Sequence, residues 1–326
     1  MPMNNLDVRT DSASMQSSLA FMVSQATHIE AGVYKTQYPD LEYSSLIPID
    51  TSVPSWAQSV TYFSSDSTGK ADWLARGADD MPTVGNSYAS HNVSIETAGV
   101  GYRYDLFEVQ YAQRMGINLN ADRAQDAGRA AEEMIDRIAF TGDADRGLYG
   151  LVNQPGVTVM APSSVTVNGA AQTQFAFKTG QEILVDVNAV LSASYLNSKT
   201  VEIADTLIMP YSLLLHLNQT FLSTDNPTMN GTVLAYIRAN NTYTMVTGRP
   251  LTIKASLHLD TAGEGGTSRM IAYRRDPNVF KMYMPMPFRF FPVWQDGPMR
   301  FLVPGAFRIA GVDVKRPEAF RYMDSV

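Results

Sequence analysis

The strongest constraint on this chain lies in residues 118–157, NLNADRAQDAGRAAEEMIDRIAFTGDADRGLYGLVNQPGV. Ala124, Ala127, Ala131, Met134, Ile135, Ile138 and Ala139 recur at the i, i+3, i+4, i+7 spacing that gathers them on one face of a helix. Opposite charges sit at helical contact distance on the other face: Asp126 with Arg129, Arg129 with Glu133, Glu133 with Arg137. Each such pair adds only about 0.2–0.5 kcal/mol. Gly142 supplies a C-terminal stop. From Leu119 to Phe140 the rod would be roughly 33 Å long. Its narrow, alanine-rich face suits packing on a sheet better than forming a bundle core. The chain before it is open and turn-rich, with no evident core of its own.

Residues 1–13 are polar, and Leu19, Met22, Val23, Ala26 and Ile29 give residues 14–29 the spacing of a short helix. Next comes VYKTQYPDLEYSSLIPIDTSVPSW, where Pro39, Pro48 and Pro54 break any regular element. Tyr34, Tyr38, Tyr43, Leu46, Ile47 and Ile49 are scattered through it and cannot bury one another. The segment must wrap its own domain or cross a neighbouring subunit. Residues 56–107 read as a two-stranded arm, with Trp56–Ser64 as one strand and Ser90–Phe107 as its return. Between them lies a tip rich in Gly, Ser and Asp, SDSTGKADWLARGADDMPTVGNSYA. Loops of this length inside compact domains are uncommon and usually functional. An isolated hairpin is marginal in water, so the arm needs a surface to lie on.

Beyond the long helix, Thr179-Gly-Gln-Glu182 forms a capping box that opens a second helix. Ile183, Leu184, Val187, Val190, Leu191 and Tyr195 make its core face. A buried strand is expected at Thr206–Met209, a third helix from Pro210 through Leu217, and a fourth over Thr232–Ala239. Leu251–Leu259 and Arg269–Tyr273 read as a closing hairpin turned by AGEGG, which makes 179–270 a compact α/β lobe. The last fifty residues return to strands at Val279–Met284, Met299–Val303 and Phe307–Val314, with a phase slip at Gly311 that predicts a bulge. Pro285, Pro287 and Pro292 forbid a continuous central strand between the first two.

Composition narrows the function. With 45% hydrophobic and 17% charged residues the chain is ordinary and globular. It has no cysteine, which excludes disulfides, thiolate metal sites and cysteine nucleophiles. A net charge of −7 and a pI near 5.1 argue against gripping nucleic acid through its phosphates, though not against enclosing it. No apolar run approaches a membrane span, and MPMNNLDVRTDS lacks the features of a signal peptide, so a cytosolic origin is expected. The N-x-[ST] matches at Asn92, Asn218, Asn230 and Asn240 are then chance.

No catalytic constellation emerges. His28, His91, His216 and His258 fall in no metal-binding spacing. Gly263-Glu-Gly-Gly266 lacks the Lys and Ser/Thr of a phosphate-binding loop and reads as a turn. Asp143-Ala-Asp145 opens like a calcium loop, but Gly147, Leu148 and Gln154 break it at three positions. Asp79-Asp80 sits in the tip and reads as a partner for an arginine or for water. KMYMPMPFRFFPVW reads as strand packing between two lobes. No cofactor and no enzymatic activity are expected.

An extended N-terminal arm, a long β-arm, a spine-like helix, an α/β lobe and a return to strands follow one another in that order. This order, with the phrase AAEEMIDRIAFTGDADRGLYGLVNQPGV, resembles the major capsid proteins of tailed bacteriophages, an α+β architecture of the Hong Kong 97 type. The resemblance implies an N-terminal arm over 1–55 and an extended loop over 56–103. It implies a peripheral domain over 104–178 and 271–326, with spine helix 119–140, and an axial domain over 179–270. It implies pentamers and hexamers of the chain in an icosahedral shell around double-stranded DNA, bound without sequence preference. A portal and a decoration protein are implied partners, and a separate scaffold protein is expected in place of internal scaffolding, because only about a dozen residues precede the first helix. It implies synthesis in a bacterial host cytoplasm and residence in the virion. Candidate subunit contacts are Tyr34, Tyr38, Tyr43, Trp56, Lys70, Trp73, Arg76, Asp79 and Asp80. Some members of the fold crosslink a loop lysine to an asparagine; Lys70 and Asn278 stand in comparable places, but the necessary buried glutamate cannot be located. An encapsulin-like nanocompartment shell, holding enzyme cargo, is the alternative with the same fold.

Overall fold

In a computed structural model of the chain, the described residues are 41–73, 83–105, 107–108, 119–222, 231–297 and 299–326, all within one unit spanning Leu41–Val326. The helix expected at 14–29 lies outside them, as do Tyr34, Tyr38, Arg76, Asp79 and Asp80.

The long helix runs Leu119–Thr141. Ala127, Ala131, Ile135, Ile138 and Ala139 are buried, and Met134 packs partly buried beside them. The face lies on strands, as its narrowness required: it meets Tyr102–Asp105, Met286–Phe290 and Gly305–Ile309. On the opposite face Arg129 Nε pairs with Glu133 at 2.8 Å. One buried residue breaks the apolar pattern. Asp136 accepts the N–H groups of Glu42 and Tyr43 at 3.2 and 3.1 Å, satisfying the start of a short helix, Tyr43–Leu46. Its second oxygen meets His258 Nε2 at 2.6 Å, and the His258 ring stacks on Phe140. A single carboxylate thus ties the helix to two distant segments.

Gly142 follows the helix at φ +74°, and a side chain there would collide with the Leu148 carbonyl. The chain folds back so that Gly142–Asp143 pairs antiparallel with Leu148–Tyr149. The Asp143 carboxylate accepts the Asp145 N–H at 3.2 Å, and Arg146 reaches Glu96 at 3.0 Å. The broken calcium-loop sequence therefore caps a turn.

A five-stranded sheet separates two apolar cores. Its order is Thr252–Ala255, Thr206–Met209, Arg269–Tyr273, Phe320–Asp324 and Val159–Met160. Successive residues of a strand point to opposite faces. Ile208, Ile271, Tyr273, Phe320 and Tyr322 accordingly enter the core beneath the long helix. Leu207, Met209, Met270, Ala272 and Met323 enter the core of the lobe. That second core is closed by helices Gly180–Asn197, Tyr211–Gln219 and Val233–Ala239. The capping box forms: Thr179 Oγ1 accepts the Glu182 N–H, and the Glu182 carboxylate accepts the Thr179 N–H at 2.8 Å. Just before it, Lys178 is fully buried against Asp186 at 2.5 Å, and Asp186 also accepts the Ser163 N–H at 3.0 Å.

Three expectations are corrected. Thr252–Ala255 and Arg269–Tyr273 do not form a hairpin; Thr206–Met209 lies between them, parallel to the first and antiparallel to the second. A parallel pair needs a crossover, which the helices between residues 211 and 247 provide. The phase slip at Gly311 is a change of sheet and not a bulge. Gly305–Ile309 pairs with Glu96–Gly99 and Met286–Phe290, whereas Val312–Val314 pairs with Phe280–Tyr283. Register irregularities sit instead between Met286 and Arg289, around Pro287, which cannot donate to a ladder, and between Gln295 and Gly297. The expected return strand of the arm also divides: Gly85–Ser94 stays in the arm, while Glu96–Gly99 and Tyr102–Asp105 join two sheets of the body.

Candidate subunit-contact surface

The arm is an antiparallel ladder of Ser59–Thr68 against Gly85–Ser94, in register from Ser59↔Ser94 to Thr68↔Gly85. The strands extend further than their apolar alternation indicated, which confines the tip to residues 69–84. Val60 and Val93 pack at the root against Ile95, Tyr283 and Ala310, together with Val53 and Ala57. Beyond that root nearly every arm residue is exposed.

Pairing sorts the side chains onto two faces. Val60, Tyr62 and their partners Val93 and His91 share the face that meets the body. Phe63 pairs with Ser90 and Ser65 with Tyr88, which sets Phe63 and Tyr88 diagonally adjacent on the other face. These two rings are 72% and 70% exposed. Trp73, near the tip, is 98% exposed, and Trp56 and Lys70 are also exposed. Large aromatics left bare in this way mark an interaction surface more often than an accident of sequence.

The structure therefore divides the candidates. Trp56, Lys70 and Trp73 stand on the arm or at its root. Tyr43 is only 9% exposed and belongs to the main core, where burial, then Glu132 and Asp136, raise its phenol above the ordinary value. It has little surface to offer a neighbour. Sequence reading missed Tyr88, placed in the tip, and Trp294, placed in strand packing; Trp294 is exposed on an edge strand, Trp294–Gly297. It also missed Val185 and Leu196 on the outer side of the lobe's first helix, and Met245 nearby. Eleven-residue spacing between Val185 and Leu196 was a readable signal, three helical turns on one stripe. Among the described residues no group of three or more His, Asp or Glu side chains is placed to hold a metal ion, and no helix is long and apolar enough to cross a membrane.

A family model described as "Major capsid protein" matches residues 69–326. The chain belongs to the major capsid protein family. Solved structures agree on the fold. The capsid of Myoviridae phage XM1 is similar at a TM-score of 0.77 and 18% identity, over 93% of this chain and 98% of that one. The capsid of a native GTA particle is similar at 0.62 and 10% identity, over 91% and 94%. Microbacterium phage Oxtober96 gives 0.62 and 13%, over 95% and 97%. No curated protein matches. This capsid protein has the mixed α+β, Hong Kong 97-type fold that the order of its parts implied. The nanocompartment alternative is not favoured by these neighbours. The match covers the arm tip, the long helix, the lobe and the closing strands, so the exposed aromatics belong to a protein whose family builds shells.

Proposed function

We propose that the chain assembles as pentamers and hexamers into the icosahedral head of a phage and encloses double-stranded DNA. The observation that carries this reading is the arm: two ten-residue strands that expose Phe63 and Tyr88, with Trp73 bare beyond the end of the first, and no core of their own. Ordering such a ladder costs about 1–2 kcal/mol per residue in backbone entropy, and a second subunit can supply the missing burial. Under this reading residues 1–55 are an N-terminal arm and 56–103 the loop that lies over an adjacent copy. Residues 104–178 with 271–326 form the peripheral domain, and 179–270 the axial domain around the symmetry axes. The five-stranded sheet qualifies that division, since strand Arg269–Tyr273 spans the 270/271 boundary and Phe320–Asp324 pairs beside it.

The subunit acts by position and carries out no catalysis. It is made in the host cytoplasm, assembles with a separate scaffold, portal and decoration protein, and ends in the virion. A net charge of −7 keeps it from clinging to the enclosed duplex. Electron microscopy of the expressed protein, alone and with its scaffold, tests the proposal. Closed particles are expected; discrete small oligomers under every condition would overturn it. Tight, steeply salt-dependent binding of duplex DNA by isolated capsomers would overturn the passive-enclosure part.

A further inference from the structure

Between the arm and the body lies a cleft of about 460 Å³, lined by Tyr62, His91, Tyr149, Gln154 and Asp313 among others. Among the described residues one side-chain hydrogen bond crosses it: the Tyr62 hydroxyl donates to Asp313 Oδ1 at 3.1 Å. The Tyr62 ring is stacked on His91 from the opposite arm strand, with centroids 5.0 Å apart, and Lys315 Nζ lies 5.0 Å from the same ring. His91 in turn meets Ser64 Oγ at 2.9 Å. Asp313 belongs to the body, on the strand paired with Phe280–Tyr283. Its other oxygen, Oδ2, is hidden and makes no hydrogen bond among the described residues.

We propose that the Tyr62–Asp313 hydrogen bond is a latch that holds the arm at one angle to its own body, and that breaking it frees the arm to pivot about its apolar root. Packing at the root among Val60, Val93, Ile95 and Ala310 is apolar and non-directional, and the only ladder bond beside it runs from the Ile95 N–H to the Gln58 carbonyl at 2.9 Å among the described residues, so the root can act as a hinge. Direction comes from the hydrogen bond, which requires the hydroxyl to stay close to one carboxylate oxygen. Burial, then Asp313, hold the Tyr62 phenol above its ordinary value, so it remains a donor across the working pH range. Without that donor Asp313 would keep no side-chain hydrogen bond from the arm, and water must enter the cleft to satisfy it. That a freed arm then reaches a second copy rests on the shell reading above; the latch itself is a property of the subunit.

The absence of native cysteine makes the test direct. Spin labels on Ser65→Cys in the arm and Ser212→Cys on the lobe report the arm's angle as a distance distribution in unassembled subunits. Losing a hydrogen bond to a carboxylate raises the ratio of swung to held arms about tenfold or more. Tyr62→Phe and Asp313→Ala should each produce that rise, and the double variant should add nothing, as expected for two halves of one contact. Tyr149→Phe alters the same cleft and should leave the distribution unchanged. An unchanged distribution in both Tyr62→Phe and Asp313→Ala overturns the latch, and so do additive effects in the double variant. Particle formation by the same variants is scored separately, so a failed latch leaves the shell reading standing and a failed shell leaves the latch measurable.

Discussion

The lobe and the arm are built from similar material and end in opposite conditions. In the lobe, Ile183, Val187, Val190, Leu207, Leu217 and Ile237 close on one another and leave almost nothing to water. In the arm, Phe63, Tyr88 and Trp73 are as apolar and face solvent almost entirely. The difference is topological. A lobe helix follows its strand and folds back over the sheet within the same chain, whereas the arm is a two-stranded ladder whose outer face no other described segment covers. Stability in the lobe is therefore intramolecular, and in the arm, on the function proposed above, it is deferred to contact with another copy.

Removing residues 66–88 should break that comparison most completely. It takes away Tyr88 and Trp73 and the distal ladder but leaves the root and both cores in place. The expected product is a folded, soluble subunit that no longer closes into particles, read by thermal melting and electron microscopy. Normal particles would show that the distal ladder and tip contribute nothing outside their own chain. Next in size is Lys178→Ala. It leaves Asp186 buried with no cation, a loss of about 3–5 kcal/mol, seen as a lower denaturation midpoint without any specific effect on assembly of the folded fraction. Phe63→Ala should do the reverse: little change in the subunit's midpoint, because the ring is exposed, and a higher protein concentration needed for particles. Smaller again is Thr179→Ala, which removes one half of the capping box and costs about 1 kcal/mol.

Much of this was legible from periodicity. The long helix, the capping box at Thr179 and the strand at Thr206–Met209 each follow from local spacing and local chemistry, and each stands where it was expected. What local pattern could not supply was partnership between strands. Thr252–Ala255 and Arg269–Tyr273 looked like a hairpin because they are neighbours in sequence, but strand order is set by which faces the helices cover. Gly311 showed a break in alternation without showing that a different sheet begins there. Asp136 gave no signal in the helical pattern, and it is buried because two backbone N–H groups and His258 converge on it from segments far away in sequence. Of the arm, the two-stranded ladder was readable. Tyr88 was not, because its exposure depends on the register that pairs Ser65 opposite it.

The last difference between the two regions concerns acid. Asp50 lies on the body side of the arm root, on a two-residue strand paired with Phe280–Tyr283. Burial alone would push its carboxyl up, but Lys281 Nζ at 2.5 Å and the hydroxyl and N–H of Ser52 outweigh it and bring the value from 3.8 to about 2. A depressed folded value means the contribution is complete above the unfolded carboxylate range and is lost as pH falls through about 2. Stability should therefore decline between roughly pH 4 and pH 2, and Asp50→Asn should remove that part of the decline while lowering stability at neutral pH. Since the pair sits in the body, the subunit lacking residues 66–88 should show the same acid dependence as the full chain. If the deletion flattened the acid profile instead, Asp50 and Lys281 would have to depend on the arm for their geometry, and the arm would no longer count as a separable appendage of a self-sufficient body.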